Sequence, residues 1–163
     1  MKKQRIYLET SLFNFYVDDS KGVSHDNTVR LFEEIAAGKY EAFTSAFVVG
    51  ELKDAQEEKR KKMLALIPKY RISMLAESNE ASYMADIYVA EGVIPQKYRM
   101  DGIHIALAAI NEMDMIVSMN FRHIVKQKTI RMTESINIIN GYRAVRIYSP
   151  AEVIEHGKED RFD

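Results

Sequence analysis

Four side chains combine oxygen donors with positions at the ends of predicted strands and helices: Glu9, Glu51, Asp101 and Asn120. Glu9 directly follows the apolar run 6–8, and Asn120 follows a second apolar run. Oxygen donors of this kind bind hard cations such as Mg²⁺ or Mn²⁺. Carboxylates brought together repel one another, and a bound divalent cation offsets that repulsion. The four residues therefore predict a divalent-metal site, provided that the fold brings them to one place.

Each of these residues also has a purely structural interpretation. Asp101 has the side chain of a good helix N-cap, which stabilises a helix by about 1 kcal/mol. Glu51 fits a solvated helix face, and Asn120 is a common turn residue. Thr10 and Ser11 fit helix caps. The metal-site prediction rests on four such residues falling at matching ends of a predicted sheet.

Strands and helices alternate along the chain, which predicts a parallel sheet with helices on both faces. The predicted strands are 6–8, 42–44, 71–75, 115–119 and 144–148. The predicted helices run from 26 or 27 to 38, and over 45–67, 79–91, 103–113, 132–140 and 150–156, with a polar loop over 18–27. The helix 103–113 is apolar nearly all round, which indicates burial. Sites in such sheets lie beyond the carboxyl ends of the strands.

Composition limits the classes of protein that this chain can belong to. It has 163 residues, a length that predicts one domain over 1–163, and it contains no cysteine, which excludes disulfides and thiolate metal sites. The net charge is -1, so any nucleic-acid contact must come from a local basic patch. No apolar run reaches the ~18 residues of a membrane span. We expect a cytoplasmic protein that does not enter a membrane.

Four segments resemble the motifs of PIN domains, including the VapC-like toxins of type II toxin–antitoxin pairs. These segments are 7–11 (YLETS), 45–52 (SAFVVGEL), 101–108 (DGIHIALA) and 117–124 (VSMNFRHI). The last two carry most of the specificity, because acidic residues beside short apolar runs are common. The similarity extends from Ile6 to about Val153, nearly the whole chain.

The resemblance implies a three-layer α/β/α fold and a metal-dependent endoribonuclease that hydrolyses RNA phosphodiester bonds. Glu9, Glu51 and Asp101 would bind Mg²⁺ or Mn²⁺, and Asn120 would complete the catalytic set as a weaker or indirect ligand. An antitoxin protein and a second copy of the chain would be its partners.

Substrate contacts are expected from hydroxyl and cationic side chains near the same edge of the sheet. Thr10 and Ser11 would hold a metal-bound water or a phosphate oxygen. Because RNA is anionic, an acidic site needs cations around it. The candidates are Lys97, Arg99, Arg122, His123, Lys126 and Lys128.

Two departures from the usual PIN pattern leave an alternative open. Glu9 and Asn120 stand where the family usually has Asp, which lengthens one carboxylate and removes the charge of another. The alternative is a catalytically weak or inactive PIN-fold module that binds nucleic acid or a protein partner. A receiver-like signalling domain is disfavoured, because Leu75-Ala76-Glu77 supplies no phosphorylatable Asp after the third strand.

Overall fold

A parallel sheet of five strands lies at the centre of the chain, in a computed structural model that describes residues 2–159 and the side chains of 2–154. Met1 and 160–163, the ends of the predicted domain, lie outside the described residues. The strands are β1 (Gln4–Leu8), β2 (Tyr40–Ser45), β3 (Ser73–Leu75), β4 (Met115–Val117) and β5 (Arg146–Tyr148). Their order across the sheet is β3-β2-β1-β4-β5. Both the strand count and the parallel pairing that the sequence predicted are confirmed.

Helices cover both faces of the sheet, which gives the predicted three-layer α/β/α arrangement. They are α1 (Thr10–Val17), α2 (Val23–Ala36), α3 (Ala46–Leu52), α4 (Glu57–Lys69), α5 (Asn79–Ala90), α6 (Arg99–Ile110), α7 (Gln127–Ile139) and α8 (Pro150–Glu159). Short 3₁₀ turns occupy Asp19–Lys21 and Gln96–Tyr98. Helix α2 packs against α1 and α8, and α5 packs along α6. None of the helices in the described part of the chain is both long and apolar enough to cross a bilayer.

The core explains why the apolar runs form the central strands. The side chains of Ile6, Tyr7 and Leu8 in β1 have no exposed surface, and all of β4 is buried. Parallel strands covered on both faces are expected to be apolar throughout. Helix α6 is buried as predicted, and Gly102 lets it approach α5, because a Cβ there would lie 3.3 Å from the ring of Tyr88.

Much of the predicted loop 18–27 is helical, and a helix that the sequence did not predict precedes it. Residues Thr10–Val17 form α1, which buries Leu12 and Phe13 against the core. The aromatic residues of this segment favour strands, and tertiary packing overrides that weak local preference. Helix α2 begins at Val23, before the predicted cap at 26 or 27, because Gly22 takes a positive φ of 59° and starts the helix there.

The predicted long helix 45–67 is two helices. Ser45 caps α3 as predicted, since its hydroxyl accepts from the Val48 amide. Helix α3 ends at Leu52, and a turn over 53–56 precedes α4. Glu51 therefore lies in the last turn of a short helix, not near the start of a long one. Helix α7 begins at Gln127, five residues before its predicted start.

Candidate active site

The four predicted oxygen-donor residues come from elements that meet at the carboxyl edge of the sheet. Glu9 follows β1 and Asn120 lies beyond the end of β4, while β2 leads into α3 and Glu51. Strands β2, β1 and β4 are neighbours, so their carboxyl ends lie side by side. Asp101 joins them from the first turn of α6. This is the edge at which open α/β sheets place their sites.

Glu9 is a buried carboxylate with only 5% of its surface exposed. Its Oε1 accepts hydrogen bonds from the hydroxyls of Ser11 and Ser118, each at 2.5 Å. Its backbone amide donates to the carbonyl of Val117 in β4, which fixes the end of β1 to its neighbour. Two hydroxyl donors orient one oxygen of this carboxylate and partly offset the cost of burying it.

Glu51 is held by a chain of buried polar groups. Its Oε1 accepts from the Thr10 hydroxyl at 2.6 Å and lies 2.6 Å from Nε2 of His104. Burial raises the pKa of Glu51, but the hydrogen bond and charge of His104, together with the bond from Thr10, bring it below its usual value. Glu51 is therefore ionised at neutral pH.

His104 links Glu51 to the interior of the sheet. Its ring is 1% exposed, and Nδ1 lies 2.8 Å from the Tyr7 hydroxyl, which in turn lies 2.8 Å from the Ser45 hydroxyl. Burial lowers the pKa of His104, whereas the hydrogen bond to Glu51 and the charges of nearby carboxylates raise it, and the net direction is upward. The structure shows a core histidine that also orients a carboxylate of the site.

Asp101 is the half-buried carboxyl of the group, and it does not cap its helix. Helix α6 begins at Arg99 with Tyr98 in the N-cap position, so the capping interpretation of Asp101 is wrong. Burial and the charge of Glu9 raise the pKa of Asp101, against smaller opposing effects that include His104 and a hydrogen bond from the Asn120 side chain. A raised carboxyl pKa beside a second carboxylate is characteristic of functional sites.

Asn120 has two structural roles. Its Oδ1 accepts from the backbone amides of Arg122 and His123, at 3.2 and 3.0 Å, which shapes the turn after β4. The turn interpretation of Asn120 is therefore confirmed. The side-chain amide of Asn120 also forms the hydrogen bond to Asp101. Asn120 thus ties the turn to the acidic group.

An aromatic and cationic cluster lies beside these residues. The ring of His123 stacks on Tyr98 with 4.1 Å between centroids and 28° between planes. The guanidinium of Arg122 lies 5.7 Å from the centroid of the same ring, and the ammonium of Lys97 lies 5.6 Å from it. The charge of His123 reaches Asp101. Of the predicted substrate contacts, His123 therefore lies within electrostatic reach of Asp101, and Arg122 shares the Tyr98 ring with it.

Three other predicted substrate contacts, Thr10, Ser11 and Arg99, are hydrogen-bonded within the protein. Arg99 donates to Asp86 at 2.6 Å and to the carbonyl and hydroxyl of Ser82, which ties α6 to α5. Thr10 and Ser11 donate their hydroxyl protons to Glu51 and Glu9. In this structure these three side chains hold the site together.

The donor set suits a hard divalent cation, although the side chains are not gathered into a complete ligand group. Within residues 2–154, no three acidic or histidine side chains stand close enough together to hold a metal ion. Burial is the largest cause of the raised pKa of Asp101, and repulsion by Glu9 adds a further cost of ionising it. A cation would remove this cost, so the pair fits one chemically.

Sequence reasoning missed three contributors to the site. The sequence predicted Tyr7 only as a strand residue and Ser118 only as part of the segment 117–124, with no role at the site for either. Tyr98 was not singled out. The polar residues at alternate positions after β1 and β4 were a signal for Ser118, because hydroxyls beside a buried carboxylate usually bond to it. Nothing in the sequence indicated that Tyr98 stacks on His123.

Comparisons with known proteins agree with this architecture. No protein-family model matches the chain, and no curated protein matches it. Among solved structures, it is similar to the toxin VapC20 of Mycobacterium tuberculosis, described as cleaving the sarcin–ricin loop. That match has a TM-score of 0.56 and 14% identity and covers 86% of this chain and 98% of VapC20.

A second solved structure is VapBC2 from Rickettsia felis, bound to a DNA fragment from their promoter. This match has a TM-score of 0.54 and 14% identity, and it covers 90% of this chain and 98% of the other. At this identity the likeness shows the fold. The chain has the PIN-like fold of the VapC toxins, as its four sequence segments predicted.

Proposed function

We propose that this protein is an endoribonuclease that hydrolyses RNA phosphodiester bonds with Mg²⁺ or Mn²⁺, and that it is the toxin of a type II toxin–antitoxin pair. The observation that carries the proposal is Asp101, a half-buried carboxyl whose pKa is raised by burial and by Glu9. Such a pair, at the carboxyl edge of a sheet in the fold of a toxin that cleaves the sarcin–ricin loop, supports a metal-dependent hydrolase.

Glu9, Asp101 and Glu51 are the residues that would hold the metal in this proposal. The bound ion would supply a water of lowered pKa and offset charge on the phosphoryl oxygens. Ser11 and Ser118 orient Glu9, and Thr10 and His104 orient Glu51. A carboxylate fixed by such neighbours keeps its geometry as substrate arrives. Asn120 holds Asp101 and shapes the turn beside it.

The substrate would lie over the cluster of Tyr98, Arg122 and His123. Arg122 is exposed and carries a positive charge over the Tyr98 ring, on which His123 also stacks, and this charge would attract a phosphate. Phe121, 52% exposed, adds an apolar surface on which a base can stack. Single-stranded RNA is commonly bound by this combination of cations and aromatic rings. Thr10, Ser11 and Arg99 would support the site through the carboxylates and helices that they hold.

The proposed partners follow from the resemblance to toxin–antitoxin proteins. A VapBC2 structure is among the solved structures with this fold, which supports an antitoxin as the protein partner. A homodimer and a cytoplasmic location are further parts of the proposal. A pull-down with the product of a neighbouring small reading frame would test the antitoxin directly.

Cleavage of a labelled mixed RNA tests the function. We expect cleavage with Mn²⁺ or Mg²⁺, none with EDTA, and a loss of at least about 100-fold in Asp101→Asn, since a metal-binding carboxylate acts on the transition state. Asp26→Asn, an exposed acid in the first turn of α2, is the matched control and should cleave like the wild type. Equal cleavage by Asp101→Asn and wild type would overturn the proposal.

A binding module without cleavage is the second candidate, and one observation favours it. The Oε1 atom of Glu51 is already satisfied by Thr10 and His104, and no three-residue ligand group forms among the described side chains. RNA binding with no cleavage in either metal, together with no Mn²⁺ binding by calorimetry, would select this candidate.

A further inference from the structure

We propose that a groove at the amino-terminal edge of the sheet, opposite the candidate active site, binds a phosphate group. The groove has a volume of about 570 Å³ and lies between the ends of α2 and α4 and the start of β2. The length of strand β2 separates the groove from the carboxyl edge, a distance of roughly 17 Å at ~3.3 Å per residue. The site is therefore distinct from the acidic group and independent of the proposed nuclease activity.

The charges that line this groove are unbalanced. Lys3, Lys69 and Arg71 line it and are exposed, against one lining carboxylate, Glu41. In the part of the chain that the structure describes, none of the three cations forms an ion pair. Unpaired cations around a concave surface attract an anion, and a phosphate accepts several such N–H bonds at once.

A fourth cation is the sequence neighbour of two residues that line the groove. Lys39 lies between two lining residues, Gly38 and Tyr40, and its ammonium is 5.6 Å from the centroid of the Tyr40 ring. The Lys39 nitrogen is buried and has no hydrogen-bond partner among the described residues. A buried ammonium without an acceptor is costly, and an anion in the adjacent groove would reduce that cost electrostatically.

The backbone at Arg71 points to a role for its side chain. Arg71 has a φ of 53°, in the left-handed region, directly after α4. The Ile72 amide donates to Ile67 at 3.0 Å and the Arg71 amide donates to Pro68 at 3.2 Å, the pattern of a helix end that favours glycine. An arginine here is strained, and its guanidinium lines the groove. A planar guanidinium suits bidentate contact with phosphate.

Compensation of helix dipoles explains only part of this arrangement. Cations near the ends of α2 and α4 would offset the partial negative charge of those ends. Lys3 comes from the chain before β1, yet its ammonium lies 3.5 Å from the position a Cβ on Gly38 would take. Cations converge here from three separate elements around one cleft, which a dipole effect does not require. The volume also exceeds that of a phosphate alone and leaves space for an attached nucleoside.

Arg71→Gly makes a sharp test, because it removes the guanidinium while relieving the backbone. The metal-free full chain would be titrated with inorganic phosphate against chloride at matched ionic strength, with thermal shift and amide NMR as readouts. We expect the amides of Gly38, Tyr40 and residue 71 to shift, and binding to weaken about tenfold in Arg71→Gly and in Lys69→Gln. Lys62→Gln, an exposed cation on α4 outside the groove, is the matched control and should bind like the wild type.

Two further titrations identify the source of the phosphate. Tighter binding of AMP than of inorganic phosphate would support a nucleotide ligand. Affinity that grows with the length of a 2′-O-methyl oligoribonucleotide would support an RNA backbone. Wild-type protein that shows no phosphate-dependent shift, or variants that bind as well as Lys62→Gln, would overturn the site. Asp101→Asn should keep phosphate binding whether or not RNA is cleaved, so the two proposals fail separately.

Discussion

The two half-buried carboxyls of the candidate site, Asp101 and Glu51, have pKa values shifted in opposite directions. Burial and Glu9 raise the pKa of Asp101, whereas the hydrogen bonds of His104 and Thr10 bring that of Glu51 below its usual value despite burial. Environments that push carboxyl pKa values apart are how sites assign different roles to chemically similar groups. Ionised Asp101 therefore lowers the stability of the folded, metal-free protein.

Asp101→Asn should stabilise the metal-free protein at neutral pH. Because the folded-state pKa is raised, the folded chain prefers the protonated form, and that preference is lost as pH rises through the folded pKa. The neutral amide resembles the protonated state at every pH. We expect a higher Tm than wild type in EDTA at pH 7.5, with the difference shrinking as pH falls through the pKa of Asp101.

Glu51→Gln provides the control with the opposite sign. The pKa of Glu51 is lowered on folding, so its ionised form stabilises the protein above the unfolded pKa. Its amide variant should have a lower Tm than wild type at pH 7.5, and the loss should diminish towards acid. A higher Tm for Glu51→Gln, or a lower one for Asp101→Asn, would contradict the electrostatic account of the site.

The sequence indicated which residues are candidates for the site, but it did not indicate which partners their side chains bond to. Glu9, Glu51, Asp101 and Asn120 were identified because each lies beside a recognisable apolar run. The partners of Thr10 and His104 depend on how α1, α3 and α6 pack together, which is long-range information. For this reason Thr10 was expected to meet the substrate, while the structure shows it bonded to Glu51.

Among the secondary-structure elements, the strands could be predicted because they are buried. The bounds of several helices were predicted wrongly, because local sequence signals do not determine them. The short apolar runs of β1 and β4 match strands of a parallel sheet, which are buried on both faces. Helix α1 was not predicted, because its aromatic residues are weak helix formers and packing against the core makes the segment a helix. The break between α3 and α4 contains neither proline nor glycine, so no local residue marks it.

The end of α6 offers a stabilising substitution outside both sites. Glu112 has a φ of 57°, and its amide and that of Met113 donate to Ala109 and Ala108 in the pattern of a helix end that favours glycine. Its carboxylate also stands near the negative end of the helix dipole. Glu112→Gly should raise the free energy of unfolding by about 1 kcal/mol in urea denaturation.

Gly92→Ala is the reciprocal control for that substitution. Gly92 has a φ of 77°, with no atom within 4 Å of the position that an added methyl group would take, so strain is the only effect expected. The alanine should lower the free energy of unfolding by about 1 kcal/mol. If Glu112→Gly destabilised the protein while Gly92→Ala behaved as expected, side-chain contacts of Glu112 would outweigh its backbone strain.

For the molecule as a whole, the net charge does not show how the charged side chains are distributed over the surface. A net charge of -1 gives no hint of where the charges lie, yet the fold places carboxylates, Arg122 and His123 at one edge and unpaired cations at the other. Alternation of strands and helices predicted a parallel sheet, but not the order β3-β2-β1-β4-β5. That order decides which strand ends are neighbours, and therefore which residues form the site.

Since the whole molecule has almost no net charge, RNA affinity must depend on a few local cations, and salt will reveal them. In EDTA, Arg122→Gln should weaken binding of a single-stranded RNA and reduce the slope of log K against log salt by about 0.7, the value for one lost phosphate contact. Arg30→Gln removes the same charge from an exposed position on α2 and should leave the slope unchanged. Equal slopes for wild type and both variants, measured by fluorescence anisotropy, would place the RNA away from the turn after β4. A reduced slope for Arg122→Gln alone would place a phosphate beside Asp101, where the proposed chemistry requires one.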